Sequence, residues 1–213
     1  MTTRIINVIG AGSLGSFTIL LLSKMAELFE CPIRILDFDT VETHNTRNQL
    51  YQESDIGLLK VEALGRIIKN LYGIELIIEN KKVGREDDLR GIVIVAVDKM
   101  SVRKEIFEAC KFNFGTDYLI EARIRENHAM VYAFDPKISR WDNRYSHFLY
   151  EDINGANLCA TSQTIPTLWV AAAIMVNILV KYRNQTVFTN TFYESIINFE
   201  DWPSIVSEAH LDI

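Results

Sequence analysis

Six consecutive residues, Gly10-Ala11-Gly12-Ser13-Leu14-Gly15, have the make-up of a phosphate-binding loop between a strand and a helix. Glycines let backbone N–H groups and a helix N-terminus come close to an anion. Alone, the loop says nucleotide and no more. Asp37 lies 22 residues beyond Gly15, at the end of the second apolar run. There the carboxylate of a doubly wound sheet takes the ribose hydroxyls. The polar stretch that follows holds Asn45, Arg47, Asn48 and Gln49, and Lys60 comes thirteen residues after Arg47. Two cations facing the glycine loop would hold a triphosphate and neutralise charge while its α-phosphorus is attacked. Asp98 ends the apolar run Ile92–Val97, at the carboxyl edge where ligands of an open α/β sheet collect. A carboxylate opposite two cations suits a magnesium ion that bridges phosphates. A nicotinamide- or flavin-dependent oxidoreductase would share the glycine loop. It has no need of Arg47 and Lys60, and the chain shows no obvious catalytic histidine or Tyr-x-x-x-Lys arrangement.

The three cysteines divide by context. Cys31 borders Pro32, and Cys110 lies in an apolar-periodic helix, so both read as core or boundary residues. Cys159 precedes a long apolar helix that opens near Thr164. A thiol beside a helix N-terminus has a lowered pKa and more thiolate. Cys159 is therefore the candidate nucleophile, against the alternative of a loop cysteine without a role. The histidines carry little: His44 adjoins Asn45 and reads as a surface residue, and His128, His147 and His210 lack metal-ligand spacing.

These residues need a scaffold. Arg4–Ile9, Ile33–Leu36, Ile74–Ile78 and Ile92–Val97 read as buried strands, and Tyr118–Ile124 and Ala129–Phe134 as two more joined by a short turn. Helices are expected over Phe17–Phe29, Asp55–Leu71, Ser101–Lys111 with Ser101 as N-cap, and Thr164–Tyr182. Glu86–Leu89 reads as a turn, Asp135–Leu158 as a crossover or active-site loop, and Val187–Phe192 as a strand within the tail. Alternating strands and helices up to about residue 116 predict a doubly wound α/β sheet. With no internal repeat or linker, 1–213 is expected to form one domain. Its nucleotide-binding half covers about 1–116, and a crossover loop, long helix and C-terminal strands fill about 117–213.

Composition closes several other routes. Of 213 residues, 48% are hydrophobic and 23% charged, which excludes disorder and low complexity. The net charge of −6 argues against nucleic acid, whose binders usually carry a basic patch. No Cys-x-x-Cys pair is present, so neither zinc nor a disulfide framework is expected, and a reducing, cytoplasmic setting fits. Ile165–Val180 is the longest apolar stretch, shorter than the roughly 20 residues of a membrane span, and reads as a buried helix. The nearly all-round apolar surface of Leu168–Val180, with Trp141, Tyr145, Phe148, Leu149 and Tyr150 of the crossover, predicts a homodimer.

Four words stand in order along the chain: GAGSLGS at 10–16, LDFDTVETHNTRNQ at 36–49, DIGLLKVEAL at 55–64 and VAVDKMSVR at 95–103. In this combination the chain resembles the ThiF/MoeB/HesA superfamily of ubiquitin-activating-like adenylyltransferases. The resemblance implies a Rossmann-like, mainly parallel sheet extended by antiparallel strands. It implies binding of ATP with Mg2+, and adenylation of the C-terminal carboxylate of a small ubiquitin-fold or sulfur-carrier protein ending in Gly-Gly. It implies a downstream conjugation or sulfur-transfer partner, and a thioester on Cys159 would match the place of the cysteine in members that form one. By position, Gly10, Gly12 and Gly15 match the phosphate loop and Asp37 the ribose ligand. Asn45, Arg47 and Lys60 match the triphosphate contacts, and Asp98 the magnesium-associated aspartate. Arg103 matches an arginine common after that aspartate, on the helix surface or in catalysis. The chain departs from the pattern in having one residue rather than two between Asn45 and Arg47, and Lys99 where asparagine is usual. It also lacks the zinc cysteine pairs and an N-terminal helix whose arginine reaches a partner's ATP site. A catalytically inactive nucleotide-binding scaffold of the same family is the remaining alternative.

Overall fold

A computed structural model describes residues 5–152, 164–184, 191–199 and 204–210. Strand β1 (Ile6–Ile9) is buried throughout and stops at Gly10, and helix α1 (Ser13–Lys24) opens three residues later. The expected helix to Phe29 breaks at Met25, with a short α2 (Ala26–Phe29) beyond it. Strand β2 (Ile33–Asp37) leads into a loop with two 3-10 turns, Thr43–Arg47 and Glu53–Asp55. Helix α3 (Lys60–Tyr72) therefore begins at Lys60 and not at Asp55. Asp55 folds back instead: its carboxylate accepts the Gln52 N–H at 2.8 Å and pairs with Arg66, closing a separate turn.

Strands β3 (Ile77–Asn80) and β4 (Gly91–Val95) follow, then α4 (Met100–Phe112). Lys99, not Ser101, is the N-cap of α4, and the missing cap comes from far along the chain. The Asp152 carboxylate accepts the Met100 N–H at 2.6 Å and the Ser101 N–H at 3.2 Å. Strands β5 (Thr116–Arg125) and β6 (His128–Phe134) form the expected antiparallel pair. The stretch read as a loop contains a helix, α5 (Ser139–Ser146). The long helix α6 (Ile165–Arg183) lies where expected, with Pro166 in its first turn. Residues 187–190 of the expected tail strand lie outside the described residues; strand β7 covers Phe192–Asn198, and an unanticipated β8 covers Ser204–His210.

All eight strands share one sheet, in the order β3-β2-β1-β4-β5-β6-β7-β8. The pairs from β3 to β5 are parallel, and β6, β7 and β8 add antiparallel. This is the expected α/β architecture. The order reverses between β2 and β4, on either side of β1, so a crevice opens above the carboxyl ends of β1 and β4. Helices α1, α3 and α6 bury apolar residues against one face. Helices α4 and α5 cover the other, where Trp141 and Tyr145 pack with Phe107, Phe134 and Phe192. Those two aromatic residues, counted above toward a dimer surface, thus belong to the chain's own core. Helix α6 is long and apolar enough to cross a membrane by length and composition, and half of it is buried within the protein.

Candidate nucleotide site

The glycine loop is built for close approach on two sides. Gly10 has a positive φ of 99°, and a Cβ there would stand 2.5 Å from the Ala96 carbonyl oxygen. A Cβ on Gly15 would stand 1.8 Å from the Gly10 carbonyl oxygen. Both glycines are thus demanded by the packing of β1, α1 and the end of β4. Gly12 is not. Its φ is −73°, and a Cβ would meet nothing within 4 Å. The space before Gly12 is open, which is the shape of a cradle that a side chain would fill. No side chain caps α1, and its first turn has no acidic residue, so the first N–H groups are left for an anion.

Ala11 fixes the loop to its neighbours. Its N–H donates to Asp37 Oδ2 at 2.6 Å, and its carbonyl accepts the Tyr51 hydroxyl at 2.7 Å. Asp37 Oδ1 accepts the Asp39 N–H at 2.8 Å, which leaves each carboxylate oxygen a lone pair for a ribose hydroxyl. Burial pushes the Asp37 pKa above its ordinary value, against the pull of the two N–H donors and the Lys60 ammonium. Tyr51 is buried, and desolvation pushes its phenol pKa up, so it stays a donor.

Lys60 is the first residue of α3, and its Nζ pairs with Asp39 Oδ2 at 2.9 Å. Its side chain is only 10% exposed, so the ammonium is held at the mouth of the crevice instead of waving in solvent. The chain is clamped here: Lys60 N–H donates to Asp39 O, and Val41 pairs with Leu58 and Gly57. Asn45 is buried and caps the Thr43–Arg47 turn, its Oδ1 accepting the Glu42 N–H at 2.8 Å. Arg47 is exposed and lines a groove with Val41, Glu42, His44, Ile56 and Gly57, none of them in the glycine loop. The structure thus joins Gly10, Gly12, Gly15, Asp37 and Lys60, and it sets Arg47 apart on the neighbouring loop.

Asp98 lies in the turn between β4 and α4, exposed to solvent. The Ala96 N–H donates to Ile9 O at 2.8 Å, and a Cβ on Gly10 would stand 3.2 Å from Val97, so this turn abuts the glycine loop. Among the described residues, no three His, Cys, Asp or Glu side chains are grouped to hold a metal. A magnesium ion carried on phosphates asks for only one or two carboxylates, and Asp98 is placed to be one.

The surface alternative for Arg103 does not hold. Its side chain points inward, 7% exposed, and donates to Glu121 at 2.7 Å, to Ala122 O at 3.0 Å and to Val97 O. The same Glu121 oxygen accepts Arg123 Nε. Asp39, Tyr51, Glu121 and Arg123 went unnoticed in the sequence. A signal existed for the last two, because charged residues at i and i+2 in an apolar strand share one buried face. Cys110 is buried in α4, its thiol pushed up to about 12, as fits a core cysteine. Cys159 lies outside the described residues.

A family model, the ThiF family, matches residues 2–211. No curated protein matches the sequence. Among solved structures, E. coli MccB with AMPCPP and MccA superposes with a TM-score of 0.70 at 16% identity, covering 97% of this chain and 63% of that one. PaaA gives 0.70 at 16% identity, with 99% and 65% covered. E. coli MccB with ATP gives 0.69 at 17% identity, with 96% and 63% covered. The chain therefore spans less than two thirds of the length of these neighbours, which share its fold.

Proposed function

The chain belongs to the ThiF family, and from that membership and the geometry of its crevice we propose an ATP-dependent adenylyltransferase. The carboxylate of a small partner protein would attack the α-phosphorus of ATP, forming an acyl-adenylate and releasing pyrophosphate. One observation carries this reading: the open cradle at Gly12, the ribose-type carboxylate Asp37, the held ammonium of Lys60 and the Asp98 turn meet at one carboxyl edge. MccB structures with ATP and with MccA support a crevice that takes a nucleotide together with a second ligand.

In this proposal the glycine loop and the α1 N-terminus receive phosphate, Asp37 accepts the ribose hydroxyls and Lys60 contacts the triphosphate, while Arg47 and Asn45, which stand on the neighbouring loop and not against the glycine loop, would reach it from that side. Asp98 holds Mg2+, which when bound spreads the phosphate charge. The attacking carboxylate is already ionised, so no general base is required. Positioning and charge neutralisation carry the rate. The partner is a ubiquitin-fold or sulfur-carrier protein ending in Gly-Gly. Cys159 then takes the acyl group as a thioester: its thiolate attacks the acyl carbon, the bond to AMP breaks, and AMP leaves.

ATP–pyrophosphate exchange that depends on such a carrier is the expected result. Exchange that is absent while ATP still binds would favour the inactive scaffold, and tight NADH binding competed by ATP would favour the oxidoreductase. Cys159→Ser should keep the exchange and lose the reductant-sensitive thioester, because the alkoxide of serine is out of reach near neutral pH without a base. Transfer at the wild-type rate by that variant would make the cysteine incidental.

The proposal includes a homodimer through α6. Its outward stripe, Pro166, Trp169 and Ala173, flanked by half-buried Val170 and Ile174, presents apolar surface to solvent. Sedimentation at micromolar concentration should show a dimer, and a monomer at every concentration would remove it.

A further inference from the structure

Strand β5 outruns its neighbour. Strand β4 ends where Val95 pairs with Glu121, and β5 continues to Arg125. Glu121 and Arg123 consequently stand at and just beyond the carboxyl edge, on the face covered by α4 and α5. Glu121 is fully buried, and one of its oxygens accepts hydrogen bonds from two arginines that lead in opposite directions. Arg103, from α4, also donates to the Val97 carbonyl immediately before Asp98. Arg123 reaches the other way. It donates to Phe148 O, and its guanidinium lies 5.1 Å from the ring centre of Tyr132, 5.6 Å from Tyr145 and 6.0 Å from Tyr150.

We infer that Glu121 is a positioning residue that couples the Asp98 turn, through Arg103, to the crossover segment 145–150, through Arg123. Stability does not account for the trio. Among the described residues, Glu121 Oε2 and Arg123 Nη2 are buried without a hydrogen-bond partner, and a half-satisfied ionic network is no better for stability than apolar packing of the same volume. What the trio does supply is a fixed distance between two backbone carbonyls, Val97 O and Phe148 O, that belong to separate elements. A shift of the crossover would pull Arg123, Glu121 and Arg103 in turn and re-aim the carboxylate of Asp98. The consequence for Asp98 chemistry rests on the adenylyltransferase reading; the mechanical coupling does not.

A second tie must be told apart from this one. Asp152 caps α4, and Glu151 pairs with Lys104, so the crossover also touches α4 directly at its exposed surface. Hydrogen–deuterium exchange on the full chain without nucleotide separates the two. The reporters are the amides of Ala96 and Arg103 for the turn, and of Phe148 and Leu149 for the crossover, each hydrogen-bonded to backbone. Glu121→Gln should speed exchange about tenfold or more in both groups, because both ties lose their shared anchor. Arg103→Met should loosen only the turn and Arg123→Met only the crossover, while Asp152→Ala, which uncaps the first turn of α4, should speed Arg103 alone and leave Ala96, Phe148 and Leu149 unchanged. If Glu121→Gln fails to fold, the two arginine variants decide. The coupling is overturned if either arginine variant loosens both groups or neither, or if Asp152→Ala loosens both. For the chemistry, Arg103→Met should raise the Mg2+ concentration for half-maximal pyrophosphate exchange about tenfold with kcat retained at saturating Mg2+, as expected of misplacement rather than loss of the ligand. An intact coupling pattern in a wild-type chain that never adenylates would sink the functional reading alone.

Discussion

Asp98→Ala is expected to reduce carrier-dependent pyrophosphate exchange by roughly 10²- to 10³-fold or more, the scale of deleting one electrostatic group at a reacting phosphate. The same chain should melt within about 2 °C of wild type, since exposed substitutions usually fall within about 0.5 kcal/mol. The split follows from where the side chain sits. Asp98 is exposed and lies outside the buried clusters that hold the sheet together. Its one plausible structural duty, complementing the N-terminus of α4, is already performed by Asp152, whose carboxylate takes the Met100 and Ser101 N–H groups. The turn itself is held by Arg103 on Val97 O and by Ala96 on Ile9 O, neither of which involves the Asp98 side chain. Activity lost together with a large drop in melting temperature would mean that the turn depends on Asp98 for its shape. Normal exchange would take Asp98 out of the site.

Much of this crevice was legible because its signals are local. A fully apolar run closed by glycine marks β1, and Asp37 and Asp98 follow apolar runs at the crevice edge. The position of Lys60 was legible too, but not the start of its helix. Asp55 resembles a helix N-cap in sequence, and only the structure shows its carboxylate turned back to Gln52 in a turn of its own. Helix α5 was missed for a different reason. Its eight residues carry Trp141 and Tyr145 as the buried pair, too little for a periodic pattern, and what keeps it helical is packing on Phe107, Phe134 and Phe192 from three other elements. Arg103 was misjudged by one of its alternatives because its partner is not on its own helix but on strand β5, 18 residues away. A charge on a helix reads as solvated until the opposite charge is known to be underneath it.

The glycines offer the sharpest separation of fold from function, because the sequence treats Gly10 and Gly12 alike and the structure does not. Gly10→Ala should cost about 3–5 kcal/mol, at the upper end for single replacements. Alanine is strained at a φ of 99°, and its Cβ would be driven to 2.5 Å from the Ala96 carbonyl, a backbone atom that cannot move without shifting β4. Loss of ATP binding in that variant would say nothing about phosphate. Gly12→Ala is the informative one. Its φ of −73° suits alanine, and no atom lies within 4 Å of the new Cβ. The loss of a favourable N-cap glycine and the lower entropy of the unfolded chain work in opposite directions, each by under about 1 kcal/mol. Stability should therefore hold to within about 1 kcal/mol in a denaturant titration. The added methyl nevertheless occupies the space in which a phosphate would meet the N–H groups at the start of α1. ATP affinity, read by calorimetry, should fall by about tenfold or more, the factor that follows from losing one or two charge-assisted N–H contacts. Unchanged affinity in a stably folded Gly12→Ala chain would show that the triphosphate does not pass over this loop, and the crevice would have to receive its nucleotide elsewhere.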